Sequence, residues 1–335
     1  MTWFEDLTGF SENNPEQVRS NLSLEGSTLI SKVNGRELIC GRLETPTLAE
    51  LRERLPNVKS GTRQITVREL VADIQALHAD PANAGALFQV ASQFNLLEMV
   101  SPKVTPEQGV GIYERDFTQG PACAIAAGVG TIYRNYFAPV NGRIGQTADN
   151  QIDCLADIGK ALGNTDGRLW QMCNGYALPS REGLFKISNR LQSLDEDERD
   201  ELRKLLRIGM QWDTQLTLNG YSHLVSQAYC SALPVGYSSF LLELWQPFAR
   251  LVLEASYEAV ICAAILNRES TGNNEVYLTL IGGGAFGNEI DWIIDSVQRV
   301  LVLYADYDIN VVMVSYGRSK PHVRQLVSRF KSLKR

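Results

Sequence analysis

No run of this sequence approaches the roughly 20 apolar residues that a membrane-crossing helix requires, and the opening MTWFEDLTGFSENN has no basic residue feeding an apolar stretch. Neither a helical membrane span nor a Sec-type leader is expected, which points to a cytoplasmic protein, or to one delivered into a host cytosol by a specialised secretion system. Positive charge is also short: 32 Lys and Arg face 38 Asp and Glu, a net charge of -6. Without a basic face to meet phosphates, nucleic acid is not an expected partner, and neither is a membrane. The six cysteines (Cys40, Cys123, Cys154, Cys173, Cys230, Cys262) form no CxxC and have no histidine close by, so they read as buried free thiols in a reducing compartment. His78, His223 and His322 stand without neighbours that would complete a triad, and no ligand spacing suggests a metal, so neither metal nor cofactor is expected. What remains is an ordinary globular profile: 335 residues, 44% hydrophobic and 21% charged, enough for a large core in one decorated domain or two.

The most informative stretch is EVYLTLIGGGAFGNEIDWIIDS, residues 275–296. Val276, Leu278 and Leu280 alternate with Tyr277, Thr279 and Ile281, all β-formers, as in a buried strand. The chain then breaks into Gly282-Gly283-Gly284-Ala285-Phe286-Gly287-Asn288 and resumes helical spacing at Ile290, Ile293, Ile294 and Val297. Glycines let a backbone approach a ligand closely, and free N–H groups at the start of the next helix favour an anion, most often a phosphate. No Lys-Ser/Thr follows the glycines, so this is not a Walker loop, and GGGAFGN is a poor dinucleotide fingerprint. A tight turn without a ligand is the plain alternative.

Residues 1–80 read as an N-terminal extension covering one sheet edge, with residues 81–335 as the main domain. The extension offers short helix starts at Trp3 and Pro15, a hairpin around Asn34-Gly35 and an amphipathic helix over residues 66–78. Leu87, Phe88, Val90 and Ala91 form a strand that runs out into Ser92-Gln93-Phe94-Asn95. Ligands of open α/β sheets bind at such carboxyl ends, which makes Gln93 and Asn95 candidates. Farther on, Thr118-Gln119-Gly120-Pro121 opens a run of small residues, Ala122 to Gly130, suited to a helix packed tightly on the sheet and to a second anion site. A helix over 149–162, a strand over 169–173 and a polar turn over 174–179 follow. Next come an exposed charged helix at 194–207, a strand at 208–217 carrying Asp213, a long helix at 245–266, a closing strand at 309–315 and a basic tail at 320–335. Strands alternating with helices predict a layered α/β domain.

In this order the segments resemble the macrodomains, the ADP-ribose-binding fold, over about residues 87–317. The loop GGGAFG is similar to the GCGAFG loop of poly(ADP-ribose) glycohydrolases. Together YERDFTQGPACA, QAYCSALPVGYS and GGGAFGNEIDW look most like a divergent branch that includes secreted bacterial effectors removing ADP-ribose from ubiquitin. The resemblance implies a three-layer α/β/α fold with a mixed sheet. One departure stands out: Thr118-Gln119-Gly120-Pro121 occupies the place where chain-degrading glycohydrolases carry GGG and Gln-Glu-Glu, so an acid or base has to come from other residues.

Carried over by position, the resemblance implies ADP-ribose as ligand. Gly282, Gly283, Gly284, Ala285, Phe286 and Gly287, followed by Asn288, would hold the diphosphate, with Phe286 near the distal ribose. Asn95 would bond the distal ribose hydroxyls, while Thr118, Gln119 and Gly120 face the diphosphate from the opposite helix. Tyr316 would border the adenine, or be a core-edge aromatic. Hydrolysis at the anomeric carbon passes through an oxocarbenium-like state and calls for carboxylates. Asp116 is the first candidate, with a loop or N-cap role as its alternative; Glu98 is the second, with an exposed loop glutamate as its alternative; Asp213 is the third. Arg134 is expected to pair with one of these acids. The implied activity is an ADP-ribosyl hydrolase acting on a mono-ADP-ribosylated protein, with ubiquitin modified on arginine among the candidate partners. A non-catalytic ADP-ribose reader and a nucleotide-sugar or NAD-metabolite enzyme are the alternatives.

Overall fold

The computed structural model describes residues 2–57, 64–218 and 220–333. Seven strands form the central sheet: β1 (Arg42–Glu44), β2 (Thr66–Val71), β3 (Leu87–Ala91), β4 (Gly209–Gln215), β5 (Leu224–Cys230), β6 (Glu275–Leu278) and β7 (Asn310–Ser315). Their order is β1-β4-β5-β3-β6-β7-β2. From β5 to β2 the neighbours are parallel, and β4 and β1 add antiparallel pairings at one edge. The inner strands are buried on both faces, as parallel strands sandwiched between helices must be.

One face carries α1 (Ile74–Ala79), α2 (Gln119–Ala126) and α3 (Gly128–Tyr136). The other carries α4 (Leu242–Thr271) and α5 (Ile290–Leu303), with the helices Leu48–Glu53, Arg181–Ser193 and Glu196–Arg203 outside α4. A last helix, α6 (Pro321–Leu333), packs on α5 and β2; the final two residues of the expected basic tail lie outside the described residues. The three-layer α/β/α arrangement with a mixed sheet is thus the one expected. The run of small residues in α2 and α3 has a visible cause: a Cβ on Gly128 would come within 2.5 Å of the Trp3 ring, and one on Gly130 within 2.8 Å of the Thr214 hydroxyl.

Several local expectations are corrected. Residues 66–71 are the edge strand β2, not the start of a helix. Val67, Leu70, Val71, Ile74 and Leu77 fit a helical period, but the open edge of β7 offers six backbone pairings, and the helix begins only after Asp73 caps it. Residues 1–80 therefore contribute a strand at each edge of the sheet, where cover for one was expected. Their remainder packs two short helices and a three-stranded sheet, which includes the expected hairpin, onto α3 and the loop before α2. The 149–162 helix is confined to Ala156–Leu162, and the polar turn after Cys173 continues as a strand, Tyr176–Pro179, paired with Trp170–Cys173 outside the main sheet.

The charged helix Glu196–Arg203 is not simply a solvated face. Arg203 is 3% exposed and bonds Glu254 of α4, while Asp200 takes a bidentate pair from Arg52. Arg52 and Arg299 converge on Glu258, a carboxylate buried beneath them on α4. Each charge in this cluster has a partner, which is what makes its burial tolerable.

Candidate functional site

Paired along Leu87 and Phe88, β3 and β6 part company beyond Tyr277. Side-chain amides fill the gap: Gln89 Oε1 accepts the Thr279 N–H at 3.0 Å, and Gln119 receives the Ala91 N–H at 2.9 Å while donating to the Gln89 carbonyl at 2.8 Å. Gln119 thus pairs with β3 much as a strand would, and it anchors the start of α2 to the sheet. This splaying opens a cleft of about 420 Å³ at the carboxyl ends of β3, β6 and β7.

On one side stands the glycine loop. Gly282 and Gly287 adopt left-handed backbone, φ 75° and 66°, which glycine alone takes without strain. Asn288 closes the loop, its N–H on the Gly282 carbonyl at 2.9 Å and its side chain on the Leu233 carbonyl at 2.8 Å. From α4, the Tyr257 hydroxyl donates to the Thr279 carbonyl and accepts the Ile281 N–H, fixing the lead-in. Gly282, Gly284, Ala285 and Phe286 face the cleft, and around Gly284 there is open space. Gly283, Gly287 and Asn288 do not line it; they pack against Ile293, Gly236 and Leu233 and shape the loop from behind. Nor does the start of α5 reach the lining, so the anion contact expected from that helix is not made there.

Opposite stands the mouth of α2, with Asp116, Thr118, Gln119, Gly120 and Pro121 in the lining. No side chain caps this helix; Asp116 Oδ1 instead accepts the Thr118 N–H at 2.9 Å. A Cβ on Gly120 would overlap both the Ala91 carbonyl oxygen and Glu98 Oε2, so only glycine fits there.

Glu98 is no exposed loop glutamate. It is 5% exposed and lines the cleft, and its Oε1 has no hydrogen-bond partner among the described residues. Burial pushes its carboxyl well above the ordinary range; Arg134 opposes this and the Asp116 charge adds to it. Arg134 does not pair with an acid as expected. Its guanidinium lies 3.6 Å over the Tyr229 ring and bonds the Leu96 carbonyl and the Thr131 hydroxyl.

Two other candidates are placed elsewhere. Asn95 is fully buried behind the Asn174-Gly175 turn, its amide on Gln151 and its oxygen on the Leu97 N–H, and it does not line the cleft. Asp213 is exposed at a bulge between β4 and β5, with φ 51° and its N–H on Ser226; solvent there, not a partner, makes a carboxylate tolerable. Gln93 does line the cleft, with Oε1 on the Met99 N–H.

Sequence reasoning gave no role to Tyr176 and Tyr237. With Phe286 they form an aromatic cluster in the cleft wall, ring centroids 5.3 to 5.7 Å apart. Lys320, also unassigned, supplies a cation to the lining beside Tyr316, which is 75% exposed. A second hollow of about 570 Å³ shares Asp116, Thr118 and Tyr316 with the first and extends to Asp73, Ile74 and Phe117. Asp73 and Ile74 went unnoticed because their segment read as one helix. The site therefore has two lobes, an aromatic one with a buried acid and a second one with an acidic rim, joined at the mouth of α2 beside Tyr316. Among the described residues there is no group of three or more His, Cys, Asp or Glu that could hold a metal ion.

No family model matches the chain, and no curated protein does. Among solved structures it is similar to poly(ADP-ribose) glycohydrolase from Thermomonospora curvata, at 12% identity over 94% of this chain and 95% of that one, TM-score 0.47. It is also similar to poly(ADP-ribose) glycohydrolase from Deinococcus radiodurans in complex with ADP-ribose, at 14% identity over 87% of this chain and 94% of that one, TM-score 0.45. At these values no residue role passes from those proteins to this chain, and the chemistry has to be read from the cleft.

Proposed function

We propose that the cleft binds ADP-ribose and that the chain hydrolyses the bond joining the distal ribose to a modified protein side chain. The observation that carries this is Glu98: a carboxyl group buried in the cleft wall, with one oxygen unpartnered and its affinity for a proton raised, is arranged to act as an acid. The glycine loop and the mouth of α2 face each other across a gap suited to a diphosphate, with Lys320 to offset its charge. The aromatic lobe suits the distal ribose, and the second lobe suits the adenine, whose amino group can donate a hydrogen bond to Asp73 on its rim.

In the reaction the bond from the anomeric carbon to the side-chain atom breaks as water attacks. Glu98 delivers its proton to the departing atom, while Asp116 takes one from water and balances the positive charge that develops on the ribose. A mono-ADP-ribosylated protein is the favoured substrate over a polymer because Gln-Glu-Glu is missing, and ubiquitin modified on arginine is the first to test. A reader role draws support from one observation, the occupation of Asp116 Oδ1 by the Thr118 N–H. Calorimetric titration with ADP-ribose, paired with release assays on arginine-modified ubiquitin, separates the two. Binding with turnover that Glu98→Gln abolishes supports the hydrolase, binding without turnover leaves the reader, and no binding overturns both.

A further inference from the structure

We infer that Glu12 is a positioning residue for the cleft, a clamp by which the N-terminal segment holds both Glu98 and Asp116 in place. The Glu12 carboxylate accepts three hydrogen bonds, two from the far side of the loop that precedes α2, the Val110 N–H at 2.9 Å and the Gly111 N–H at 2.6 Å, and one from the Tyr136 hydroxyl at the end of α3 at 2.6 Å. The fit is close, since a Cβ on Gly109 would come within 2.5 Å of that carboxylate and one on Gly111 within 2.9 Å. Trp3 adds two bonds to the same loop, from its indole N–H to the Val110 carbonyl and from its backbone N–H to Glu114.

What the clamp holds is a short 3-10 helix, Gly111–Arg115, which joins the two carboxylates of the cleft. At its centre Tyr113 is buried in one cluster with Phe4, Leu97 and Met99, and its hydroxyl accepts the Glu98 N–H at 3.0 Å. At its end the Asp116 N–H bonds the Tyr113 carbonyl at 3.1 Å. One residue, Tyr113, thus fixes the backbone of both acids, and Glu12 fixes the turn from which Tyr113 projects. Buried N–H groups such as those of Val110 and Gly111 have to be satisfied, and here the acceptor for both comes from Glu12. Glu12 does not line the cleft, so its effect passes through Glu98 and Asp116.

The inference rests on the reading of Glu98 and Asp116 as the working carboxylates. Its test uses the full chain with Glu12→Ala and Glu12→Gln, the second keeping one acceptor oxygen. Three quantities are measured: ADP-ribose affinity, kcat and KM for release from modified ubiquitin, and amide hydrogen exchange. For Glu12→Ala, kcat falls about 10- to 100-fold, as small misplacements of catalytic groups do, while KM and ADP-ribose affinity stay within about threefold. The Glu98, Val110 and Gly111 amides exchange faster together, and those of β6 and β7 keep wild-type protection. Glu12→Gln recovers part of both effects. Unchanged kcat and unchanged Glu98 exchange overturn the inference, as does a loss of protection spread evenly over the sheet. If the wild type binds ADP-ribose without turnover, the hydrolase reading fails while the exchange arm still decides the clamp.

Discussion

The Glu98 carboxyl lies where a side chain on Gly120 would stand, and this close approach joins the mouth of α2 to the buried acid. It sets how near a ligand held at the helix can come to the Glu98 carboxyl. Gly120→Ala would force a Cβ onto both the Ala91 carbonyl and Glu98 Oε2. An overpacking cost of about 1 to 3 kcal/mol is expected, seen as a lower unfolding midpoint, together with loss of ADP-ribose binding by calorimetry. A variant that melts and binds like the wild type would mean that α2 does not form this wall.

If Glu98 is the acid proposed above, it acts in its protonated form, and activity is expected to fall as pH rises through its raised pKa. Glu98→Gln keeps the volume and removes the proton. Turnover should drop by about 10²- to 10⁴-fold with ADP-ribose affinity retained. The alkaline limb of the residual pH–rate profile should vanish with it.

His78 makes a prediction independent of function. It lies on α1 stacked against Phe88, at 3.7 Å between ring centroids, with Nδ1 against the Ile74 carbonyl and Nε2 against the Gln227 amide. Desolvation lowers its pKa to about 4. The unfolded chain takes up this proton near pH 6.5, so the contribution to stability is complete above about pH 6.5 and is lost as pH falls toward 4, by roughly 3 kcal/mol. Glu98 and Glu12, whose carboxyls are raised by burial, act in the opposite sense over the acid range. The term is therefore isolated by comparing denaturant unfolding of wild type and His78→Phe from pH 7 to 4: the mutant should lack this part of the decline.

Lys320 lines the cleft, where the proposed diphosphate would lie, and is half-buried. Lys320→Ala should weaken ADP-ribose binding by about 5- to 10-fold, the worth of one partly solvated charge contact, and leave adenosine binding unaltered. The difference should shrink as salt is added. Equal weakening of both ligands would place the diphosphate elsewhere.

What was legible in the sequence was the part written in short-range order. Alternation and glycines revealed β6, its loop and α5, and the run of small residues revealed α2 and its close packing. Less visible was anything decided by burial. Asn95 and Asn288 have the same amide whether it faces a ligand or a neighbouring carbonyl, and only the fold shows that the amide N–H of each goes to a protein acceptor. Glu98 ranked behind Asp116 because its depth in the wall leaves no mark on its neighbours in sequence. The strand β2 was hidden by a spacing that suits helix and edge strand alike. Glu12 lies about a hundred positions from the groups it bonds, beyond any local signal.

The two edges of the sheet carry a consequence for synthesis. Among the described residues β2 finds its strand partner in β7 alone, and Thr66 meets Asn310 across a separation of 244 positions. A chain growing on the ribosome has made β2 long before β7 exists, so that edge stays unpaired through most of translation. Closure waits for the last strand, the same one that delivers Tyr316 and Lys320 to the cleft. Pairings this distant fold slowly and leave an edge open to wrong partners, so nascent chains should have more need of chaperones than the finished fold suggests.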